Sequence, residues 1–454
     1  MIKSFFLNDR NIEKNSYMWN MMGSMLNAFQ SVILLMIISR TVGQVASGVY
    51  SFAYANASLF LHMGNYGVRN YQVSDIKKKF SFKEYYLSRW ISIAMMLLSA
   101  GVFIAYSAVT KDYSSEKTWI MIWAMLQKTV DALENVYHGQ YHQNNRLDVA
   151  GRCMTIRMAL LIVSFGVALI ITKNLLVSLI ASTVLTLLLF ILFTYWTSHI
   201  SRIHTSAEDE TSADPDRLVW KKVRSLMWIC LPLCAGSFLS FYIGNAPKYA
   251  IDALTTSAKY ASDPDLADKL QGCFTYIHMP VFVVGLLNNF IFMPQMFKLS
   301  KMWQERDVRG FMKRTLRQVI ILAGISLVCV GGAFLLGTPV LSILYNTDLA
   351  PYRLPLVILV LGGGFLGLTG FLWAVITIIR CQKYTMYGYA FVALLALFLA
   401  NPIVERYEIM GASVLYLSLM VLLSIIFTGI FLIGVRCKAK KKDPIEEKNS
   451  ETAS

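Results

Sequence analysis

Residues 318–345 read QVIILAGISLVCVGGAFLLGTPVLSILY, 28 consecutive positions without an Asp, Glu, Lys or Arg. A helix rises ~1.5 Å per residue, so this run exceeds the ~30 Å of a bilayer's hydrocarbon core. A membrane strand would instead show about ten residues of alternating character. The run is continuous, and it predicts a membrane-spanning helix. Residues 354–379 and 410–435 repeat the pattern.

Working outward, windows of ~20 mainly apolar residues fall near 17–39, 45–67, 90–109, 118–137, 154–172, 175–198, 225–247, 272–294, 318–345, 354–379, 386–403 and 410–435. They predict about twelve helices, the second, fourth and eighth being the least apolar. Of the 454 residues 56% are apolar and only 15% charged, against about a quarter charged in soluble chains. The composition excludes a soluble enzyme, a disordered scaffold and a secreted disulfide protein. It leaves an all-α polytopic membrane protein.

The net charge of +15 would suggest a nucleic-acid partner in a soluble protein. In a membrane protein, cytoplasmic loops hold the excess of Lys and Arg. No basic run is interleaved with aromatics outside the apolar windows, so no nucleic-acid partner is expected. With the N-terminus inside, the inner segments hold 32 of the 42 Lys and Arg, the outer loops hold nine, and Lys128 lies within a window. That bias predicts both termini in the cytoplasm. The first apolar run, Tyr17 to Ser39, is too long for the core of a cleavable signal peptide.

Cys153, Cys230, Cys234, Cys273, Cys329, Cys381 and Cys437 mostly lie in or beside apolar windows. Cys230 and Cys234 have helical spacing with no His or carboxylate nearby, so packing is expected rather than a metal or a disulfide framework. The run LGGGFLGLTGFLW has no strand before it and no Lys-Ser/Thr after it, so it is no nucleotide loop. Its Gly364, Gly367 and Gly370 instead allow close helix contact or flexing. No cofactor or ATP-binding module is expected.

The polar stretch SAEDETSADPDR (206–217) divides the windows six and six. The expected organisation is an N-terminal lobe at 1–198, a cytoplasmic linker at 199–224, a C-terminal lobe at 225–435 and a disordered tail at 436–454. An internal repeat supports it. Gly23-Ser24-Met25-Leu26 in the first window matches Gly236-Ser237-Phe238-Leu239 in the seventh. Gly48-Val49-Tyr50-Ser51-Phe52 in the second matches Gly272-Cys273-Phe274-Thr275-Tyr276 in the eighth. The longest outer loop, Ile251 to Gln271, carries Asp252, Asp263, Asp265 and Asp268.

Charges at membrane depth are costly and usually face a partner or a wet cavity. The fourth window, WIMIWAMLQKTVDALENVYHGQYHQ, places Lys128, Asp131, Asn135, His138 and His142 at steps of three and four, on one helical face, with Glu134 beside them. The stripe suits a hydrated cavity, Lys128 meeting an anion and Asp131 or Glu134 taking a proton or cation. The plain alternative is a Lys128–Asp131 pair that neutralises two charges inside the bundle. Arg69 follows the second window and can hold phosphate in bidentate fashion or mark the cytoplasmic side. In the seventh window Pro232 and Pro247 can release backbone to line a cavity. Asn245 and Lys248 then lie near its outer end, where Lys248 can instead snorkel to the interface. Arg40, at the outer end of the first window, has the same two readings. His138 and His142 have no third ligand at helical spacing, so no metal site is expected.

Three segments carry a family resemblance: Ser39-Arg40-Thr41-Val42-Gly43 with Gly48-Val49-Tyr50, Gly67 to Asp75 (GVRNYQVSD), and Asn245 to Asp252 (NAPKYAID). With them the chain resembles the polysaccharide flippase family of the multidrug/oligosaccharidyl-lipid/polysaccharide (MOP) exporter superfamily, most of all its bacterial Wzx-type members. The resemblance implies a MATE-like fold of two six-helix lobes around a central cavity, rocking between inward- and outward-facing states in the bacterial cell membrane. It implies an undecaprenyl-diphosphate-linked oligosaccharide as substrate, moved from inner to outer leaflet for cell-surface polysaccharide biosynthesis. Arg40, Arg69, Lys128, Lys248 and Asn245 are the substrate-binding positions carried over, beside Asp131 and Glu134 for ion coupling. Expected partners are that lipid-linked glycan, membrane lipids and the enzymes of glycan assembly, with the transporter itself a monomer. The peptidoglycan-precursor branch has more helices and several Arg in its first two spans. Here those spans hold only Arg40 and, at the boundary, Arg69, so a lipid II substrate is not expected.

Two other functions compete. A multidrug or metabolite exporter of the same superfamily favours an acidic cavity for cationic drugs, which Lys128 opposes. A membrane glycosyltransferase or polysaccharide polymerase needs catalytic carboxylates or Arg on sizeable outer loops, and the Asp-rich outer loop 251–271 is short, with no aromatic or Arg cluster around it.

Overall fold

Every apolar window becomes helix, because buried backbone in hydrocarbon must pair its own N–H and C=O groups. The computed structural model describes residues 11–75, 78–200, 216–257, 263 and 265–439. In chain order the helices are α1 Ile12–Thr41, α2 Gln44–Asn65, α3 Val68–Ser74, α4 Phe82–Thr110, α5 Ser115–Gln143, α6 Leu147–Thr172 and α7 Leu175–Leu189. A π-helical stretch, Phe190–Tyr195, carries α7 into α8, Trp196–Ile200. Then come α9 Asp216–Ala253, α10 Leu266–Gln304, α11 Val308–Gly332, α12 Thr338–Tyr345, α13 Arg353–Ile378 and α14 Lys383–Ala439. The linker residues 201–215 and the tail beyond 439 lie outside the described residues.

Nine helices among the described residues are long and apolar enough to cross a membrane. The last of these, Lys383–Lys438, is two spans in one, because Glu408 breaks it with φ 51° and ψ −130°. Two further helices reach membrane length without meeting the apolarity test: α2 with 22 residues and α5 with 29. These are the second and fourth spans, the polar ones. Counting the split helix as two, the described chain has twelve membrane-length helices.

Three sequence expectations need correction. Pro232 and Pro247 do not interrupt α9, which runs as one helix of 38 residues. The described residues of the outer loop 251–271 are largely helical: Asp252 lies in the last turn of α9 and Asp268 in the first turn of α10. Of the glycines in the tenth span, Gly364 and Gly367 do pack closely, each within 3 Å of a neighbour for an added Cβ (Ser326 at 2.7 Å and Asn288 at 1.8 Å), but Gly370 has open space around it.

By packing, the chain forms two compact units. The first comprises 1–241 and 255–273, the second 242–254 and 274–454. In the first, α1 packs along α6, while α5 packs on α2, α4 and α7. An apolar core of Tyr85, Val136, Tyr137, Tyr141, Cys153, Cys230 and Cys234 fills one region between these helices. In the second unit, α13 packs on α14 and α11.

Within the first unit, the glycines paired by the repeat meet each other. A Cβ on Gly48 would stand 1.9 Å from the Asp268 carbonyl oxygen and 3.1 Å from the Gly272 nitrogen; one on Gly272 would stand 2.7 Å from the Gln44 carbonyl oxygen. Each glycine therefore faces the residue four positions before the other. Such reciprocity is what a two-fold-related contact requires. Gln44 Nε2 also donates to the Lys269 carbonyl at 2.8 Å. Beside this crossing Lys117 pairs with Asp268 at 2.8 Å, so the acidic outer segment is anchored to the bundle.

Candidate functional site

The polar stripe of α5 starts from a capped helix: the Ser114 hydroxyl accepts the Lys117 N–H at 3.2 Å. From there the 3.6-residue period carries Lys128, Asp131, Asn135 and His138 along the helix, and each meets a different neighbour. Lys128 Nζ donates to Asp131 Oδ2 at 2.9 Å and lies 4.7 Å from the centre of the Tyr54 ring. The plain Lys128–Asp131 pair foreseen from sequence is therefore present, but it is only part of a larger network.

Arg157, on α6, completes that network. Its Nη1 stands 2.8 Å from Asp131 Oδ1, and its Nε and Nη2 donate to Glu134 Oε2 at 3.0 and 2.6 Å. The other Glu134 oxygen accepts the Thr194 hydroxyl at 3.0 Å and lies 3.7 Å from His138 Nε2. Thr194 belongs to the π-helical turn after α7, where a widened helix turns a side chain inward. Lys128, Glu134 and Arg157 are all buried, while the Asp131 side chain keeps 13% of its surface exposed. Two carboxylates thus meet two cations, which is how charge survives in low dielectric.

Two further cations break this balance. Arg89, on α4, is fully buried, yet among the described residues its guanidinium donates only to neutral acceptors: the Gly64 carbonyl and, at 3.0 Å, the Asn135 Oδ1. Arg69, the second residue of α3, is half-buried and in electrostatic reach of Glu134, His138 and Arg89. It makes no ion pair among the described residues. The cluster around α5 therefore carries four fixed cations, Arg69, Arg89, Lys128 and Arg157, against two carboxylates, Asp131 and Glu134.

The structure thus brings Arg69, Lys128, Asp131 and Glu134 together in the first unit. Arg40 lies apart from them, exposed in the last turn of α1. Asn245 and Lys248 belong to the second unit, on the stretch Tyr242–Leu254. There Lys248 is buried, near His278, whose ring stacks on Phe274 and meets Tyr416 edge-on at 5.0 Å.

Sequence reasoning missed Arg89 and Arg157. Both were counted as loop residues marking the cytoplasmic side, and the structure buries both. For Arg157 the signal was available, since it falls inside the fifth apolar window, where an ionisable residue needs a partner. Arg89 stands one residue before its window and gave no such sign.

No family model matches the chain. A capsular polysaccharide biosynthesis protein, CapF of Staphylococcus aureus, is 23% identical over 411 residues, covering 88% of this chain and 94% of that protein. Among solved structures, an inward-facing multidrug resistance MATE family transporter of the MOP superfamily matches with a TM-score of 0.64 at 13% identity, over 92% of this chain and 96% of the other. The MATE transporter VcmN of Vibrio cholerae, in its bent form, matches with a TM-score of 0.58 at 12% identity, over 94% and 98%. The chain has the fold of the MATE transporters, and its sequence is similar to that of a capsular polysaccharide biosynthesis protein.

Proposed function

We propose that this membrane transporter is a flippase, moving an undecaprenyl-diphosphate-linked oligosaccharide from the inner to the outer leaflet for cell-surface polysaccharide biosynthesis. The observation that carries the proposal is the cation excess around α5, above all Arg89 and Arg69, neither of which is matched by a carboxylate. Sugars and a diphosphate cannot cross hydrocarbon unaided. A polar region with surplus guanidinium groups replaces their hydration with charge-assisted hydrogen bonds, while the lipid tail stays in the bilayer. The capsular polysaccharide relative supports the same substrate class.

Arg69 and Lys128 are the cations we assign to the diphosphate in the first unit, and Lys248 with Asn245 in the second. Arg40 has the role of receiving the headgroup at the outer end. Asp131 and Glu134 are assigned to ion coupling: a proton or cation reaching either carboxylate competes with Lys128 or Arg157 for it. The chain works as a transporter without a catalytic step, as a monomer in the bacterial cell membrane with both termini cytoplasmic, fed by glycan-assembly enzymes.

A multidrug exporter is the second reading, since the matching solved structures include multidrug MATE transporters. Cationic drugs call for surplus carboxylate, the opposite of the balance around α5. The test is a pair of assays on vesicles reconstituted with the protein. Appearance of a lipid-linked oligosaccharide in the far leaflet, without export of a cationic dye, supports the flippase. Dye export without glycan movement supports the exporter.

A further inference from the structure

The second unit contains a cavity of about 380 Å³. It lies between the C-terminal part of α10, which contributes Gln295 and Met302, and the first four turns of α11, which contribute Gly310, Lys313, Arg314, Arg317, Gln318 and Ile321. The α11 positions recur at steps of three and four, so they form one helical face. Counting Lys and Arg assigns these residues to the cytoplasmic side as orientation markers only. That explains their charge. It does not explain why three of them share a cavity with two amides.

The charged side chains along the wall are of one sign. Three cations line it, and no carboxylate does so among the described residues. Arg314 Nη2 donates to Gln295 Oε1 at 2.8 Å, which fixes one guanidinium edge against the wall. Gln318 is 94% buried, and its Nε2 makes no hydrogen bond among the described residues. The cavity also faces the N-terminal turns of a 25-residue helix, whose dipole favours negative charge. Asp307, the cap residue just before α11, accepts the Gly310 N–H at 2.8 Å.

We propose that this cavity binds a phosphate or diphosphate group. Planar guanidinium groups from Arg314 and Arg317 match phosphate oxygens in bidentate fashion, and Lys313 adds a point charge. The volume falls within the ~300–1,000 Å³ of small-ligand sites and holds one such group with its waters. Basic pockets between membrane helices commonly take lipid headgroups, and a free phosphate has the same chemistry. This inference does not depend on the flippase proposal, and its test measures no transport.

The full chain in nanodiscs of phosphatidylcholine is titrated with inorganic pyrophosphate by calorimetry. In parallel, retention of phosphatidylglycerol is counted by native mass spectrometry from mixed nanodiscs. We expect saturable binding of at least one probe. Lys313→Gln with Arg317→Gln should weaken it by about tenfold or more, and Arg317→Gln alone should weaken it severalfold. Arg309→Gln, the same loss of one charge outside the cavity on the same helix, should leave it within about twofold. Pyrophosphate binding alone identifies a free anion as the ligand; phosphatidylglycerol retention identifies a headgroup. Absence of binding to both probes overturns the proposal, as does an equal loss in Arg309→Gln, which would mean a diffuse surface field.

Discussion

Two basic regions of this molecule solve the problem of charge in opposite ways. Around α5 the cations are deep: Lys128 is 3% exposed and Arg157 2%, and both are tied to Asp131 and Glu134. Along α11 the cations are open. Lys313 and Arg317 are exposed, and no ion pair among the described residues holds either. A buried charge without water must be paired or hydrogen-bonded, whereas a charge at a watery mouth is solvated until a ligand replaces the water. Proximity of cations therefore carries a different meaning in each place. In the first region charge balance decides function, and the informative residues are those beyond the balance. In the second, geometry decides it.

The sharpest way to break this contrast is to remove a partner from each region and compare stability. Arg157→Met leaves Asp131 and Glu134 with one cation fewer, and it should destabilise the protein by about 3–5 kcal/mol, seen as a large fall in the melting temperature in detergent. Restoring neutrality with Asp131→Asn and Glu134→Gln in the same chain should recover part of that loss. A triple variant as unstable as the single one would show that the network is not held by charge.

Next in size is the coupling between Lys128 and Asp131. A double-mutant cycle with Lys128→Met and Asp131→Asn should give a coupling energy of about 1–3 kcal/mol, because the residues touch at 2.9 Å. A cycle that closes to zero would make the pair incidental. At the α11 cavity, Arg317→Gln should change stability by less than about 0.5 kcal/mol, since no partner is orphaned. Smaller still is the exposed pair Lys269–Asp263, at 2.9 Å with both side chains 41% exposed. The hydrogen bond from Lys269 holds the Asp263 carboxyl below its usual range. The pair's contribution is thus present at neutral pH and fades as the pH falls through that lowered value. Lys269→Gln should nonetheless leave the melting temperature unchanged, because water screens the pair.

The fold was legible in the sequence because the bilayer imposes a length on every span and forbids unpaired backbone. Even the polar helices α2 and α5 were found, since each still holds a window of about 20 mainly apolar residues. Boundaries were less legible. Pro247 and the Asp-rich stretch 251–271 suggested irregular chain, but α9 and α10 extend through most of it. The stripe on α5 could be read from its spacing, and the Lys128–Asp131 contact with it. Arg157 could be told from a topogenic residue by its place inside an apolar window, but Arg89 could not, because a charge at a window's edge looks the same whether it snorkels or turns inward. Contact between Gly48 and Gly272 was likewise invisible, although the repeat had named both glycines. Spacing along one helix says nothing of which residue on another helix will face it.

The account rests on cations around α5 that exceed their carboxylates, and Arg69 is the one whose removal isolates that claim. Lys128→Ala should also slow flipping, but it disturbs Asp131 as well. Arg69→Gln strips a cation without orphaning a carboxylate. In reconstituted vesicles, with equal amounts of folded protein, this variant should move the isoprenoid-diphosphate-linked oligosaccharide about tenfold or more slowly than the unaltered chain. Flipping at the unaltered rate would contradict the account.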